Sequence, residues 1–192
     1  MAGGRDIPFA CDCGAVTGTL HDISASRGTH AICHCADCRA AEVFAGQPDP
    51  GQDGVDLFQT TPDRVEFHTG LDHIGVFSFS PNGLLRWYAD CCGATLFNTL
   101  RNPKAAFSAI RVQRLADPAA IGPVRAHAFV GRPGGGYKHT GKAWFLLGLL
   151  RGPALARITG RWRDTPFFDI ASGQPVRKVQ IVDKGARADL LR

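Results

Sequence analysis

Seven cysteines, all in the first half of the 192-residue chain, constrain its fold more than any other feature. They form three groups, which are Cys11 and Cys13, then Cys33, Cys35 and Cys38, then Cys91 and Cys92. In a reducing compartment, cysteines at such short spacings indicate metal ligands rather than disulfides or incidental buried thiols. A Cys-x-x-Cys turn places two sulfurs on one metal, and a Cys-x-Cys pair in a strand points both sulfurs to one side. We therefore expect zinc bound through thiolates.

The number of thiolates suggests two different zinc sites. Four protein ligands close a structural site, whereas three leave a position open for water or a substrate. We predict two Zn²⁺ per chain, a closed site on Cys11, Cys13, Cys91 and Cys92, and an open site on Cys33, Cys35 and Cys38. The alternative is one zinc, or one shared zinc, because adjacent cysteines ligate a single metal less readily than a Cys-x-x-Cys turn does.

The hydrophobic periodicity predicts a mainly β protein, α+β overall, built of small antiparallel sheets. Short alternating runs separated by turn residues predict strands at 15–21, 30–33, 64–68, 75–79, 84–88, 107–112 and 124–130. The sequence Pro81-Asn82-Gly83 predicts a hairpin turn. Helices are expected at 39–45 and 142–150, with a helical turn at 117–121.

Charge divides the chain into two parts. Residues 1–100 contain 5 Lys and Arg against 12 Asp and Glu, whereas residues 101–192 contain 17 against 5. We place a boundary near residue 112, with a zinc-binding domain at 1–112 and a basic, partly helical extension at 113–192 packed on it. The chain begins without an apolar signal sequence, so we expect a cytoplasmic protein. Its longest apolar run, 143–150, is too short for a membrane span, which needs about 20 residues.

The cysteine motifs together resemble those of a known family. In order, Cys11-x-Cys13-Gly14, Cys33-His-Cys35-x-x-Cys38-Arg39 and a late Cys92-Gly93 preceded by aromatic residues are similar to the glutathione-dependent formaldehyde-activating enzymes, the family that includes centromere protein V. The resemblance covers about residues 7–100. It implies a β-tent fold, a structural zinc and a second, catalytic zinc. The sequence departs from the family at Ala89, where a cysteine is expected, and Cys91 could replace it.

The resemblance also implies a reaction. Members join formaldehyde to glutathione, which is carbon–sulfur lyase chemistry, so we expect a zinc-dependent enzyme acting on a small thiol adduct. Cys33, Cys35 and Cys38 are the candidate catalytic ligands. Arg39 is a further candidate, because it could offset thiolate charge or hold a substrate carboxylate, although a surface salt bridge would also explain it.

Two other functions stay open at this point. The chain could be a non-catalytic, zinc-stabilised module whose basic half binds an anionic partner. The run Trp144–Leu150, followed by several arginines, could instead contact a membrane surface. Nucleic acid is not favoured, because the sequence has no recognised reader motif.

Overall fold

The computed structural model describes residues 3–192 and confirms the predicted class, because it is mainly β with three α-helices. The strands are β1 Arg5–Ala10, β2 Thr17–Ile23, β3 Thr29–Cys33, β4 Val55–Thr60, β5 Val65–Thr69, β6 Ile74–Ser78, β7 Leu85–Ala89, β8 Ala94–Thr99, β9 Ser108–Arg111, β10 Ala126–Gly131, β11 Tyr137–Thr140, β12 Phe168–Asp169, β13 Gln174–Pro175 and β14 Gln180–Ile181. The helices are α1 Ala36–Phe44, α2 Lys142–Thr159 and α3 Lys184–Asp189.

The strands form one large sheet and two small ones. The nine-stranded sheet has the order β11-β10-β3-β4-β9-β8-β7-β6-β14. Its neighbours are antiparallel except at two places, where β10 runs parallel to β3 and β14 runs parallel to β6. The small sheets are β1-β2-β5 and the pair β12-β13, and both are antiparallel.

The main core lies between the three-stranded sheet and the central strands of the large sheet. Phe9 of β1 meets Phe97 of β8 edge to face, with ring centres 5.2 Å apart. Phe167, from the last third of the chain, lies 5.3 Å from Phe97 and 5.0 Å from Trp87. Such aromatic pairs contribute about 0.5–1.5 kcal/mol beyond their buried area, so residues after 112 help to complete this core.

Seven of the fourteen strands in residues 3–192 are missing from the sequence-based prediction, namely β1, β4, β8 and the four short strands β11 to β14. Strands β4 and β8 lie inside the large sheet and are buried on both faces, so their residues do not alternate between apolar and polar. Strand β1 contains Pro8, which lowers strand propensity but is tolerated because β1 is the edge of its sheet.

Helix α2 is nine residues longer than predicted and ends at Gly160, which has φ of +81°. Pro153 lies inside it and removes one helical hydrogen bond. The helix continues because Pro153 and Ala156 are both buried. Within residues 3–192, no helix combines the length and the apolarity that crossing a membrane requires.

The residues after 112 join the same sheet as the first half. Strand β10 pairs with β3, β11 pairs with β10, and β14 pairs with β6. The boundary near residue 112, and the division into a zinc-binding domain and an extension, stay predictions.

The charged side chain of His30 links strand β3 to the loop before β10. The His30 Nε2 lies 2.7 Å from the Asp56 carboxylate, and its Nδ1 lies 2.7 Å from the Gly122 carbonyl oxygen. Both partners only accept hydrogen bonds, so the ring must donate from both nitrogens and is an imidazolium. Burial lowers the pKa of His30, but these two bonds outweigh it and the net pKa is raised.

This histidine leads to a pH-dependent prediction. A raised folded pKa contributes stability that is present below the unfolded pKa, about 6.5, and is lost as pH rises through the folded value. We therefore expect Asp56→Asn to lower the melting temperature most at about pH 5.5 and least at about pH 9. Thermal unfolding of both proteins across that range tests it, and a difference that does not change with pH would contradict the charged His30.

Candidate metal centres

The structure brings the four cysteines of the predicted closed site together. The Sγ atoms of Cys11, Cys13, Cys91 and Cys92 all lie within 4.8 Å of one another. The Sγ of Cys13 is 3.5 Å from that of Cys11 and 3.3 Å from that of Cys91, and Cys11 and Cys91 are 4.0 Å apart. Zinc–sulfur bonds of about 2.3 Å in a tetrahedron place the sulfurs about 3.8 Å apart. The donor set therefore fits a single Zn²⁺.

Two tight turns produce this cluster. Cys11 follows β1, and the turn closes when the Gly14 N–H donates to the Cys11 carbonyl at 3.2 Å. Cys91 and Cys92 lie in the β7–β8 turn, where the Gly93 N–H donates to Ala89 at 2.8 Å. Gly93 has φ of +73°, and a Cβ there would lie 2.0 Å from the Ala45 carbonyl oxygen. Only glycine fits that position.

Ala89 and Cys91 occupy different environments in the structure. Ala89 is the last residue of β7, and its side chain is fully buried in the main core. Cys91 lies two residues further along in the turn, with its sulfur beside those of Cys11 and Cys13. The geometry thus places Cys91 where a fourth ligand is needed, and its role as a ligand stays a prediction.

The environment of Cys11 favours a thiolate. Burial raises the pKa of its thiol, but hydrogen bonds from the Val16 N–H and from Cys13 outweigh it and lower the pKa to about 7. The Val16 nitrogen lies 3.3 Å from the Cys11 sulfur. Backbone N–H groups that point at a sulfur stabilise its negative charge with or without a metal.

The three cysteines of the predicted open site form a second cluster. The Sγ atoms of Cys33, Cys35 and Cys38 also lie within 4.8 Å of one another, and those of Cys33 and Cys35 are 3.4 Å apart. Cys33 ends β3, and Cys35 caps helix α1, because its sulfur accepts a hydrogen bond from the Cys38 N–H at 3.3 Å. Cys33 and Cys38 are buried and Cys35 is half-buried.

Hydrogen bonds among the three cysteines favour a thiolate at Cys35. Hydrogen bonds from Cys33 and Cys38 lower the pKa of Cys35 to about 2. The bond to Cys35 raises the pKa of Cys33 to about 12, and the bonds to Cys33 and Cys35 raise that of Cys38 well above its ordinary value. Full ionisation of this cluster therefore needs a cation among the three sulfurs.

A buried charged network next to Cys38 is absent from the sequence-based prediction. Glu42 of α1 accepts hydrogen bonds from the Thr95 hydroxyl at 2.8 Å, and the Nε of Arg111 lies 3.3 Å from its carboxylate. That N–H is not aligned for a hydrogen bond with Glu42. Arg86, only 4% exposed, lines the same small cavity as Cys38, Glu42 and Arg111.

These groups influence each other and the sulfurs. Burial raises the pKa of the Glu42 carboxyl, although Arg111 opposes the shift. Arg86 contributes to the low pKa of Cys35. Burial lowers the pKa of Arg111, although the Glu42 carboxylate opposes the shift. One sequence signal pointed to Glu42, which follows Cys38 by four residues and so lies on the same face of α1. No local signal pointed to Arg86 or Arg111.

The remaining surroundings of the second cluster are apolar and closely packed. Val55, Leu57, Phe107 and Ala109 surround it, and Phe129 and Leu149 of the second half pack against it. The cavity beside Cys38 has a volume of about 10 Å³, which is room for about one water molecule.

Arg39 and His34, the polar neighbours of the cysteines in sequence, have other partners. The Arg39 Nε and Nη2 donate to the two oxygens of Asp49 at 3.0 and 2.5 Å. His34 lies with its Nε2 3.2 Å from the His127 Nδ1. Arg39 therefore forms a surface ion pair in this structure, and its action on a substrate stays a prediction.

Comparison with known proteins gives a family but no activity. Residues 4–180 match the family described as "Family of unknown function (DUF6151)". A crystal structure of a Rhodobacter sphaeroides protein is similar at 20% identity and a TM-score of 0.42, and the match covers 61% of this chain and 96% of that one. No curated protein matches the chain. The resemblance to formaldehyde-activating enzymes stays a prediction, because neither match names that family.

Proposed function

We propose that this chain, which belongs to the DUF6151 family, is a two-zinc protein whose three-cysteine site binds a small thiol and joins it to an aldehyde. The observation that carries the proposal is the separation of all seven cysteines into one group of four and one group of three, each with its sulfurs within 4.8 Å. Cys11, Cys13, Cys91 and Cys92 would hold the structural ion. Cys33, Cys35 and Cys38 would hold the second.

The charges around the second site would accommodate a metal without leaving a net buried charge. Three thiolates with one divalent cation have a net charge of minus one, and burying that charge needs compensation. Arg86 and Arg111 provide two buried positive charges, and Glu42 removes one. The buried groups and the loaded site together are then neutral.

The chemistry proposed at this site follows from the open ligand position. When bound, zinc supplies a Lewis acid that holds a thiol as thiolate near neutral pH. In the net reaction the thiol sulfur forms a bond to the aldehyde carbon, the carbonyl π electrons move to oxygen, and the thiol proton ends on that oxygen. The cysteine motifs that resemble formaldehyde-activating enzymes support this reaction class, with glutathione and formaldehyde as the first substrates to test.

This chain's own residues would position the substrate. Cys35 is the most accessible of the three cysteines, so the open ligand position would face its side of the cluster. Arg39 would bind a carboxylate of the thiol by exchanging it for Asp49, since the guanidinium holds that carboxylate through two parallel bonds.

One observation favours the alternative, a non-catalytic zinc module with a basic second half. Two of the three sulfurs are buried among apolar side chains, and the adjoining cavity of about 10 Å³ does not admit a thiol. Catalysis would then need movement of Phe129 or Leu149, both of which pack against the cluster. A module would keep this site closed.

Cobalt substitution separates the two functions. We expect freshly reduced protein to bind up to two Zn²⁺, and the cobalt form to change its thiolate charge-transfer bands when glutathione is added. S-Methylglutathione, which lacks the free thiol, is the matched control and should have no effect. Arg39→Gln should weaken the response and Cys33→Ser should abolish it. Less than half an equivalent of metal per chain would contradict the zinc assignment. A metal-loaded protein whose charge-transfer bands do not change with glutathione would favour the non-catalytic module.

A further inference from the structure

A second cavity lies beside helix α2. It has a volume of about 390 Å³ and is formed between α2, the start of β3 and the end of β4. That size lies within the range of about 300–1,000 Å³ typical of small-molecule sites. No cysteine lines it. Thr29 at its wall and Cys33 of the metal cluster are at opposite ends of β3, about 13 Å apart.

The cavity is strongly cationic. Its lining includes five arginines, which are Arg27, Arg64, Arg125, Arg151 and Arg161. Two carboxylates balance part of this charge, because Arg27 and Arg64 share Asp22 and Arg161 pairs with Asp63 at 2.8 Å. Among the described residues, Arg125 and Arg151 have no carboxylate within ion-pair distance. The guanidinium groups of Arg125 and Arg151 are therefore available to bind an anion from outside the chain.

The opposite wall is apolar. Trp144, Leu147 and Leu155 line the cavity from α2, and each is between 41% and 51% exposed. Arg151 lies with them on the same helix face, at spacings of three and four residues. The Arg125 guanidinium covers the Trp144 ring at 4.4 Å. A contiguous apolar face of this kind beside cations matches a ligand with an apolar body and an anionic head.

Glycine and two buried polar side chains shape the floor. Gly148 lets the helix approach β4, because a Cβ there would lie 2.1 Å from the Gln59 Oε1. Gln59 and Thr60 are each 4% exposed, and both line the cavity. The Gln59 Oε1 and the Thr60 hydroxyl have no hydrogen-bond partner among the described residues. Neither atom is accessible to solvent, so these side chains shape the floor and offer no free hydrogen bond to a ligand in the cavity.

We propose that this cavity binds a small amphipathic anion, with a phosphate or carboxylate head on Arg125 and Arg151 and an apolar body against Trp144, Leu147 and Leu155. The site does not depend on the proposed thiol chemistry, since it shares no cysteine with either metal cluster. The free molecule and the headgroup of a lipid bilayer would present the same chemistry, and the test separates them.

The test uses the full chain and monomeric n-octyl phosphate. Trp87 and Trp162 are buried, so a fluorescence change on titration reports mainly on Trp144. We expect saturable binding of one molecule per chain, with inorganic phosphate and 1-octanol each at least about tenfold weaker. Arg151→Gln should lower the affinity about tenfold or more, because it removes a charge-assisted hydrogen bond to the anionic head. Arg125→Gln provides an independent second variant.

Arg157→Gln is the matched control on the same helix. Arg157 does not line the cavity and lies over the Trp162 ring at 5.5 Å. Its replacement should leave octyl phosphate affinity unchanged within about twofold, and thermal unfolding should show that all variants fold. Phosphatidylglycerol vesicles form the second arm. The absence of saturable octyl phosphate binding would contradict the proposed cavity site. Vesicle binding that Arg151→Gln and Arg157→Gln weaken equally would also contradict it, and would indicate a surface contact instead.

Discussion

Replacing Cys11 or Cys13 by serine is expected to unfold the protein, whereas replacing Cys33 or Cys38 should leave it folded. The four-cysteine cluster joins the end of β1 to the β7–β8 turn, and Cys11 and Cys91 are separated by 80 positions. Structural zinc contributes about 10–16 kcal/mol in small zinc-binding peptides. Net stabilities of whole domains are about 5–15 kcal/mol, so losing this ion would exceed what the rest of the fold provides.

The three-cysteine cluster differs because it is local. Cys33, Cys35 and Cys38 belong to one continuous β3–α1 segment. A metal there closes only a very short loop, and the backbone order of the segment comes from the sheet and from the α1 cap. Loss of one sulfur should therefore lower the melting temperature without abolishing the fold.

Zinc analysis and thermal unfolding of the purified variants measure this difference. Cys33→Ser is the matched control for Cys11→Ser, since both remove one buried sulfur. We expect insoluble or unfolded Cys11→Ser protein, and folded Cys33→Ser protein that retains about one zinc. If both variants keep the melting temperature of the parent, the four-cysteine cluster is not a structural metal site.

Glu42→Gln is expected to lower the free energy of unfolding by about 3–5 kcal/mol. The side chains of Glu42 and Arg111 are 4% and 9% exposed, and their charges face each other at 3.3 Å. The amide can still bond to Thr95, but it leaves the Arg111 charge buried and unpaired. An uncompensated buried charge is far more costly than the pair is favourable.

Urea unfolding of variants gives the magnitude. Asp49→Asn breaks the more exposed Arg39–Asp49 pair and serves as the control, with an expected loss of about 0–1 kcal/mol. Adding Arg111→Met to Glu42→Gln should recover part of the loss, because neither charge is then left alone. A Glu42→Gln loss no greater than that of Asp49→Asn would show that the buried pair is already neutral or solvated.

Much of the candidate metal chemistry was readable from sequence. Local spacing predicts that Cys11 meets Cys13 and that Cys33, Cys35 and Cys38 meet one another, since residues two or three apart in a turn or strand lie close together wherever the chain goes. The antiparallel character of the first half also followed from short alternating runs and turn residues. Strands β4 and β8 escaped prediction because both of their faces are buried.

The sequence by itself determined the mainly β class, the short cysteine motifs and the charge asymmetry between the two halves. Only the tertiary structure decided which distant residues meet. It placed Cys91 beside Cys11 while Ala89 entered the core. It also set α2 against β3 and β4, which creates the arginine-lined cavity. Strand order across a sheet depends on packing between segments far apart in the chain. Hydrophobic periodicity describes one segment at a time, so it does not predict that order.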